Sequence, residues 1–354
     1  MSMMAGTTER RGELYGTDVV RSYGDAAAEY AALRDDAGFV LREDRVVLRV
    51  HGRDPVKMLH GLVTSDVQSL APGQATYTLL LTPKGRMLGE MRVLRRDDDL
   101  LMDVDAAALD GVLAHLKKYV PPLFARFERA DYTVIGVYGT RAYDVLRSVC
   151  DAPASVFTED EAVAGTFGGD VAWVIGTGWA GGTGADVFVP VQHADAFRDA
   201  LGACSVRACG HAALDVLRIE AGVPRWGAEL SENTIPLEAG LGERAISTTK
   251  GCYTGQEVII RILHRGHVNW HLRGMLLGDA PVPAHDTALI RPDAEKPVAR
   301  ITSACVSPRF DQTIALGYVR REIEPPAELV FADTKAPARV VTLPFGGTAA
   351  SQAL

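Results

Sequence analysis

Five cysteines, Cys150, Cys204, Cys209, Cys252 and Cys305, are spread over 354 residues. An odd number in a chain this long argues against a disulfide framework and for reduced thiols, each needing its own explanation. One of them has neighbours suited to chemistry. In Lys250-Gly251-Cys252-Tyr253-Thr254-Gly255-Gln256-Glu257, Thr254 and Glu257 have the T-x-x-E spacing of a capping box. Val258, Ile259, Ile262 and Leu263, with Gly266 as a stop, outline the helix such a box would start. Cys252 then lies two residues ahead of a helix N-terminus. The partial positive charge there, together with Lys250, would favour thiolate over thiol. Gly251 and Gly255 would let a ligand approach the backbone without meeting a Cβ. The plainer alternative is a small buried hydrophobe beneath an ordinary cap.

The second candidate is Glu220 in Arg218-Ile-Glu220-Ala-Gly222. If His211–Gly222 is a helix, Glu220 sits in its last turn, where the dipole disfavours a carboxylate, and a broken local rule often marks function. A carboxylate there can accept paired N–H donors from a heterocycle such as a pterin. The alternative is an ion pair with Arg218 or Arg225. The basic run Arg261, His264, Arg265, His267, His271, Arg273 lacks a carboxylate or cysteine partner, and Gly266 breaks the helical face that would align its imidazoles. It reads as an anion-binding stripe or a solvated face, not as a metal site. Gly176-Thr-Gly178-Trp-Ala-Gly181 fits G-x-G-x-x-G but leads into another strand-like run instead of a helix, so it reads as a hairpin connection.

These residues need elements to hold them. Strand-like runs recur at RVVLRV, TYTLLL, EMRVLRR, LLMDVD, YTVIGVYG, VAWVIG and DVFVP. Asp54-Pro55 marks the start of a short helix through about Leu62, AAALDGVLAHLKKYV has helical apolar spacing, and Gly222 with Pro224 ends the Glu220 helix. From about Arg273 six short strands separated by Pro, Gly and Asp turns predict a small antiparallel barrel or sandwich. The expected organisation is an N-terminus (1–14) that frays, an α+β region (15–272) of two interleaved subdomains, a β-domain (273–346) and a tail (347–354).

Composition limits the function. The formal charge of −8 disfavours a general nucleic-acid or anionic-membrane binder. No run of eighteen apolar residues and no secretory signal are evident, so the expected location is the cytoplasm.

The segment Lys250–Glu257 resembles the signature of the YgfZ family of folate-binding proteins, relatives of the glycine-cleavage T-protein, an aminomethyltransferase. The similarity extends through DPVKMLHGLVTSDVQSLAPGQ, TPKGRML, LRIEAGVPRWGAEL, IPLEAGL and HRGHVNWHLRG. It implies a three-part, ring-like α+β body with a C-terminal β-barrel around a tetrahydrofolate site. On this resemblance Glu220 is the pterin-binding glutamate and Cys252 the cysteine important for activity, with Lys250 activating the thiol. Arg218, Gly251, Tyr253, Gln256 and Arg261 are the further candidate folate contacts. The implied role is as an accessory protein in assembly or repair of iron–sulfur clusters, including those of enzymes that methylthiolate transfer RNA, with such enzymes or assembly proteins as partners. One departure stands out. The T-protein places its catalytic aspartate just after a segment similar to Lys84–Leu88, where this chain has Gly89 and then Glu90. Glu90, one position along and a methylene longer, is therefore the candidate replacement if the chain is a folate-dependent aminomethyltransferase or demethylase. A non-catalytic folate-sensing scaffold is the third reading.

Overall fold

The computed structural model describes residues 9–152 and 158–346. A hairpin of β1 (Arg10–Leu14) and β2 (Thr17–Ser22) leads to α1 (Ala26–Asp35) and β3 (Gly38–Leu41). The expectation that residues 1–14 fray is corrected for 10–14, which pair with β2; residues 1–8 and 347–354 lie outside the described residues. Next come β4 (Arg45–His51), α2 (Pro55–His60), β5 (Ala75–Leu81), β6 (Met87–Arg95), β7 (Leu100–Asp105), α3 (Leu109–Tyr119) and β8 (Arg126–Arg129). The chain then returns to the first unit with β9 (Tyr132–Tyr138), α4 (Ala142–Cys150), β10 (Ala162–Phe167), β11 (Asp170–Gly176), β12 (Gly184–Pro190), α5 (Ala194–Ala203) and β13 (Arg207–Ala208).

Two sheets result, and they interleave in the chain. β4 to β8 form a five-stranded sheet in the order β5-β6-β7-β4-β8, inserted between β3 and β9 of a six-stranded sheet in the order β10-β11-β12-β9-β3-β13. Only β13 and β3 pair in parallel among these strands, so no helical crossovers are needed to join them. α3 buries Val112 and Leu116 against the smaller sheet, with Leu59 of α2 in the same core. α4 and α5 bury Val145, Leu146, Phe197 and Leu201 against the larger one. Each such side chain contributes about 1.5–3 kcal/mol by leaving water. The G-x-G-x-x-G segment joins β11 to antiparallel β12, as the hairpin reading requires.

Three helices follow: α6 (His211–Ala221), α7 (Gly242–Ala245) and α8 (Gln256–Arg265). α6 ends where Gly222 adopts φ +74°, a conformation a residue with a Cβ resists. The last six strands are β14 (Trp270–Leu276), β15 (Ala288–Ile290), β16 (Pro297–Ser307), β17 (Gln312–Arg320), β18 (Ala327–Phe331) and β19 (Pro337–Val341). They close into a barrel, which removes their edges and decides between the two architectures expected for this region. Leu214 and Leu217 of α6 pack on Tyr30 and Leu33 of α1, while Ile219 packs on Leu272 and Ile314 of the barrel. α6 is thus wedged between the first unit and the barrel, and its last turn, with Glu220, lies where they meet. Among the described residues no helix is long and apolar enough to cross a membrane.

Candidate functional site

Glu220 is buried, and its carboxylate is held by three donors. The Tyr30 hydroxyl on α1 donates to both oxygens, at 3.1 and 2.9 Å. The Ser307 hydroxyl at the end of β16 donates to Oε1, as does the backbone N–H of Arg309 at 3.4 Å. These bonds compensate the unfavourable helix end without a full positive charge. The ion-pair alternative fails, because both arginines are engaged elsewhere. Arg218 binds Asp215 at 2.7 Å, Glu229 at 2.7 Å and the Tyr15 hydroxyl at 2.7 Å; Arg225 binds Asp44 at 3.1 Å. Arg218 as a folate contact is therefore a correction: it is wholly buried, with no N–H turned to a ligand, and serves as scaffold.

Beside Glu220 is a cavity of about 220 Å³ whose walls include Arg34, Gly181, Gly182, Glu220 and Arg309. Among the described residues Oε2 receives a single hydrogen bond, from Tyr30, so it keeps acceptor capacity. Arg309 has no carboxylate partner among the described residues, and its guanidinium lies over the ring of Phe310. The site offers one carboxylate acceptor inside and guanidinium groups at its rim. That combination suits a flat heterocycle with in-line N–H donors and an anionic tail.

The Cys252 segment is built differently from the expectation. Helix α8 starts at Gln256 with Gly255 as its N-cap at φ +83° and no side-chain cap. A Cβ at 255 would lie 2.6 Å from the Thr82 carbonyl oxygen, so only glycine lets the helix start against the turn before β6. Thr254 falls outside the helix, and Glu257 is 90% exposed, pairing only loosely, at 3.7 Å, with Arg261. The capping box is corrected on that ground, and Arg261 is a surface residue of this pair. The Lys250 ammonium is corrected too. It donates to the main-chain carbonyls of His60 at 2.6 Å, Val63 at 2.7 Å and Ser65 at 3.0 Å. All three N–H bonds go to acceptors at the end of α2 and in the loop after it, so this cation anchors the loop and has no donor left for the thiol. Burial pushes its pKa down to about 8, which leaves it protonated at neutral pH.

Tyr253 is buried in the core of the smaller sheet, its ring 5.3 Å from the Lys250 ammonium and its hydroxyl pushed up to about 12 by burial. Its hydroxyl has no hydrogen-bond partner among the described residues. Gly251 and Cys252 are exposed, and Gln256 is half-buried. Cys252 is the one exposed cysteine. Burial pushes the Cys150 and Cys305 thiols up to about 12, and raises that of Cys209 as well. Neither Cys252 nor any other residue of 250–257 lines the Glu220 cavity.

Glu90 is corrected as a catalytic candidate. Its neighbour Gly89 has no room for a side chain: a Cβ there would lie 2.7 Å from Val112 Cγ2. Glu90 projects from the opposite face of β6, because successive strand residues alternate. Its carboxylate is taken by Arg45. That pair begins a buried ionic chain that sequence reasoning missed. Arg45 binds Asp103 at 2.7 Å, Asp103 also binds Arg92, and Arg92 reaches Asp186 at 2.7 Å. Asp186 binds Arg42 at 3.3 Å, and Arg42 binds Asp44 at 2.9 Å. The chain crosses from β4, β6 and β7 to β12, tying the two sheets together. Asp105, at the end of β7, is pushed up to about 7, chiefly by burial, with Asp44 and Glu90 raising it further and Arg45 and Arg225 lowering it. The signal was present in LLMDVD, where two aspartates sit in a strand buried at every position. Buried charge in a strand demands partners.

Residues 9–250 match the GCVT N-terminal domain, and residues 271–346 match the glycine cleavage T-protein C-terminal barrel domain. Among curated proteins the chain is similar to the aminomethyltransferase of Thermosynechococcus vestitus, at 29% identity over 91% of this chain and 88% of that protein. It is also similar to the aminomethyltransferase of Nitrosomonas europaea, at 28% identity over 93% of this chain and 92% of the other. Among solved structures, the glycine cleavage system aminomethyltransferase T from Bartonella henselae superposes with a TM-score of 0.85 at 22% identity, covering 95% and 94% of the two chains. The two share a fold.

Proposed function

We propose that this chain, which belongs to the glycine cleavage T-protein family, binds a reduced folate at the Glu220 cavity and presents Cys252 to a partner protein, without transferring an aminomethyl group itself. The observation that carries the negative half is the contact of Gly89 with Val112, which leaves no space where the T-protein's catalytic aspartate is expected. Glu90 does not replace it, since Arg45 holds its carboxylate on the other face of β6.

The fit to folate rests on Glu220, whose Oε2 retains acceptor capacity for the paired N–H donors of a pterin, and on Arg34 and Arg309 at the rim for the tail carboxylates. At about 220 Å³ the cavity is below the roughly 300–1,000 Å³ typical of pockets that enclose a drug-sized ligand, so it suits the pterin head and leaves the tail outside. Folate, when bound, supplies the one-carbon chemistry; the chain contributes recognition. The exposure of Cys252, against the burial of three other cysteines, supports a thiol that meets another molecule. In the YgfZ-like reading that molecule is an iron–sulfur client enzyme or assembly protein.

A second reading, aminomethyl transfer, is favoured by the names of the curated relatives and by Asp105. This carboxyl group, poised near neutrality, is the kind of group a proton-transfer step uses. Titration of tetrahydrofolate against wild type, Glu220→Ala and Cys252→Ser, followed by tryptophan quenching, tests the first reading. Binding lost only in Glu220→Ala supports it; binding unchanged in Glu220→Ala removes it. Turnover of an aminomethyl donor that is abolished by Asp105→Asn would favour the second.

A further inference from the structure

An open sheet ends in two edges whose unpaired N–H and C=O groups invite another strand, and soluble proteins protect them. Three of the four edges of the two large sheets are protected here. β13 is two residues long. β8, RFER, carries Arg126, Glu128 and Arg129. The edge of β5 is covered by the preceding loop, with Thr64 N–H donating to the Leu79 carbonyl at 3.1 Å. β10 is the exception. Its sequence, AVAGTF, has no charge and no proline, and its register against β11 runs from Ala162 to Phe167 without a bulge.

The direction of its free groups follows from the ladder. Gly176 N–H donates to the Glu161 carbonyl at 2.9 Å, whereas Thr177 N–H donates to Gly184 of the other neighbouring segment. Antiparallel strands alternate, so Val163 and Gly165 bond β11 while the N–H and C=O groups of Ala162, Ala164 and Thr166 point away, with no strand beyond them among the described residues. This edge opens on a cleft of about 1060 Å³. Ala162, Val163 and Ala164 form one wall, and Tyr77 with Arg244 stacked 4.0 Å from its ring centroid forms another. Trp173, the cross-strand partner of Ala164, also lines the cleft, and its indole N–H, shielded from water, has no acceptor among the described residues. Arg244, the one cation among the described lining residues, pairs with Glu159 at 3.1 Å and Asp160 at 2.9 Å, and Glu161 accepts from the Thr158 N–H at 3.0 Å, so the cleft keeps a net negative charge.

We propose that β10 is a docking edge for an extended, basic segment of a partner polypeptide, which adds a strand beside Ala162–Thr166 within this cleft. Main-chain bonds to Ala162 and Ala164 would supply affinity, and the cleft's net negative charge would favour lysine or arginine side chains. The site is independent of the Glu220 cavity and of Cys252.

The test uses the full chain and a fluorescein-labelled octapeptide of alternating valine and lysine, followed by anisotropy. Saturable binding is expected, weakened about tenfold by Ala164→Pro, which removes an outward N–H and leaves the β10–β11 ladder intact. The same peptide N-methylated at alternate residues should lose affinity equally, a control that leaves the protein untouched. A valine–glutamate peptide should bind more weakly. Absence of saturable binding, or affinity unchanged by both Ala164→Pro and N-methylation, overturns the proposal. So does sedimentation showing a wild-type dimer that Ala164→Pro dissolves, since the edge would then be filled by a second copy.

Discussion

Gly89 of β6 faces Val112 of α3 so closely that a Cβ on the glycine would lie 2.7 Å from Val112 Cγ2. Gly89→Asp should therefore destabilise the fold by about 1–3 kcal/mol from overpacking alone, before the cost of burying a carboxylate. The loss should be partly recovered by adding Val112→Ala. Urea unfolding of the two variants decides it, and a Gly89→Asp protein as stable as wild type would mean that α3 yields.

Asp105 predicts a pH dependence. Its folded pKa is raised from 3.8 to about 7, so between these values the folded chain holds a proton the unfolded chain has released. The group's stabilisation is full below about pH 4 and is lost as the pH rises through 7. Asp105→Asn does not titrate and keeps an oxygen for the Ala107 N–H, which Asp105 Oδ1 accepts at 2.9 Å. The stability of wild type relative to Asp105→Asn should fall by up to about 4 kcal/mol from pH 4 to 8. A flat difference in urea titrations across that range would mean that Asp105 stays ionised.

Lys250 is expected to act on the loop and not on the thiol. Lys250→Met leaves the carbonyls of His60, Val63 and Ser65 without their donor and should cost about 2–4 kcal/mol. The pH at which Cys252 becomes reactive to iodoacetamide should not move. A shift of that midpoint to higher pH would restore Lys250 as a thiol activator.

Thiol labelling of the native protein should give one fast site, absent in Cys252→Ser. Half-exposed Cys204 should react more slowly, and Cys150, Cys209 and Cys305 only after unfolding. A fast phase that survives Cys252→Ser contradicts the exposure pattern.

Arg42, just after β3, is fully buried between Asp44 and Asp186 and ends the ionic chain on the side of the six-stranded sheet. Arg42→Ala should cost about 3–5 kcal/mol, because Asp44 and Asp186 each lose one of two buried guanidinium partners and keep only Arg225 and Arg92. Thermal unfolding of the variant at neutral pH measures this, and a loss under 1 kcal/mol would show that water replaces the guanidinium.

Legibility followed the range of the forces involved. The six barrel strands, α6 with its glycine stop, and the strand from Arg45 could be read from alternation, apolar spacing and turn residues, because these are local. β10 was missed, since AVAGTF lacks the bulky β-branched and aromatic run that marks a strand, and it is held there by pairing with β11. Among site residues, Cys252 and Glu220 were legible as types out of place. Their surroundings were not. Arg218 sits two residues from Glu220 yet turns to Asp215, Glu229 and Tyr15, because on a helix residues two apart face different sides.

The sequence by itself determined the broad glycine cleavage T-protein family, the α+β body with its β-rich C-terminal unit, and the two residues on which function was worth seeking. Tertiary structure alone decided what each could do. It gave Lys250 to three carbonyls at and after the end of α2 and Glu90 to Arg45, closed the space at Gly89 with Val112, and left Cys252 in solvent. Charges and close contacts are settled by whichever groups the fold brings within a few ångströms, and those partners came from 45, 187 and 23 positions away in the chain.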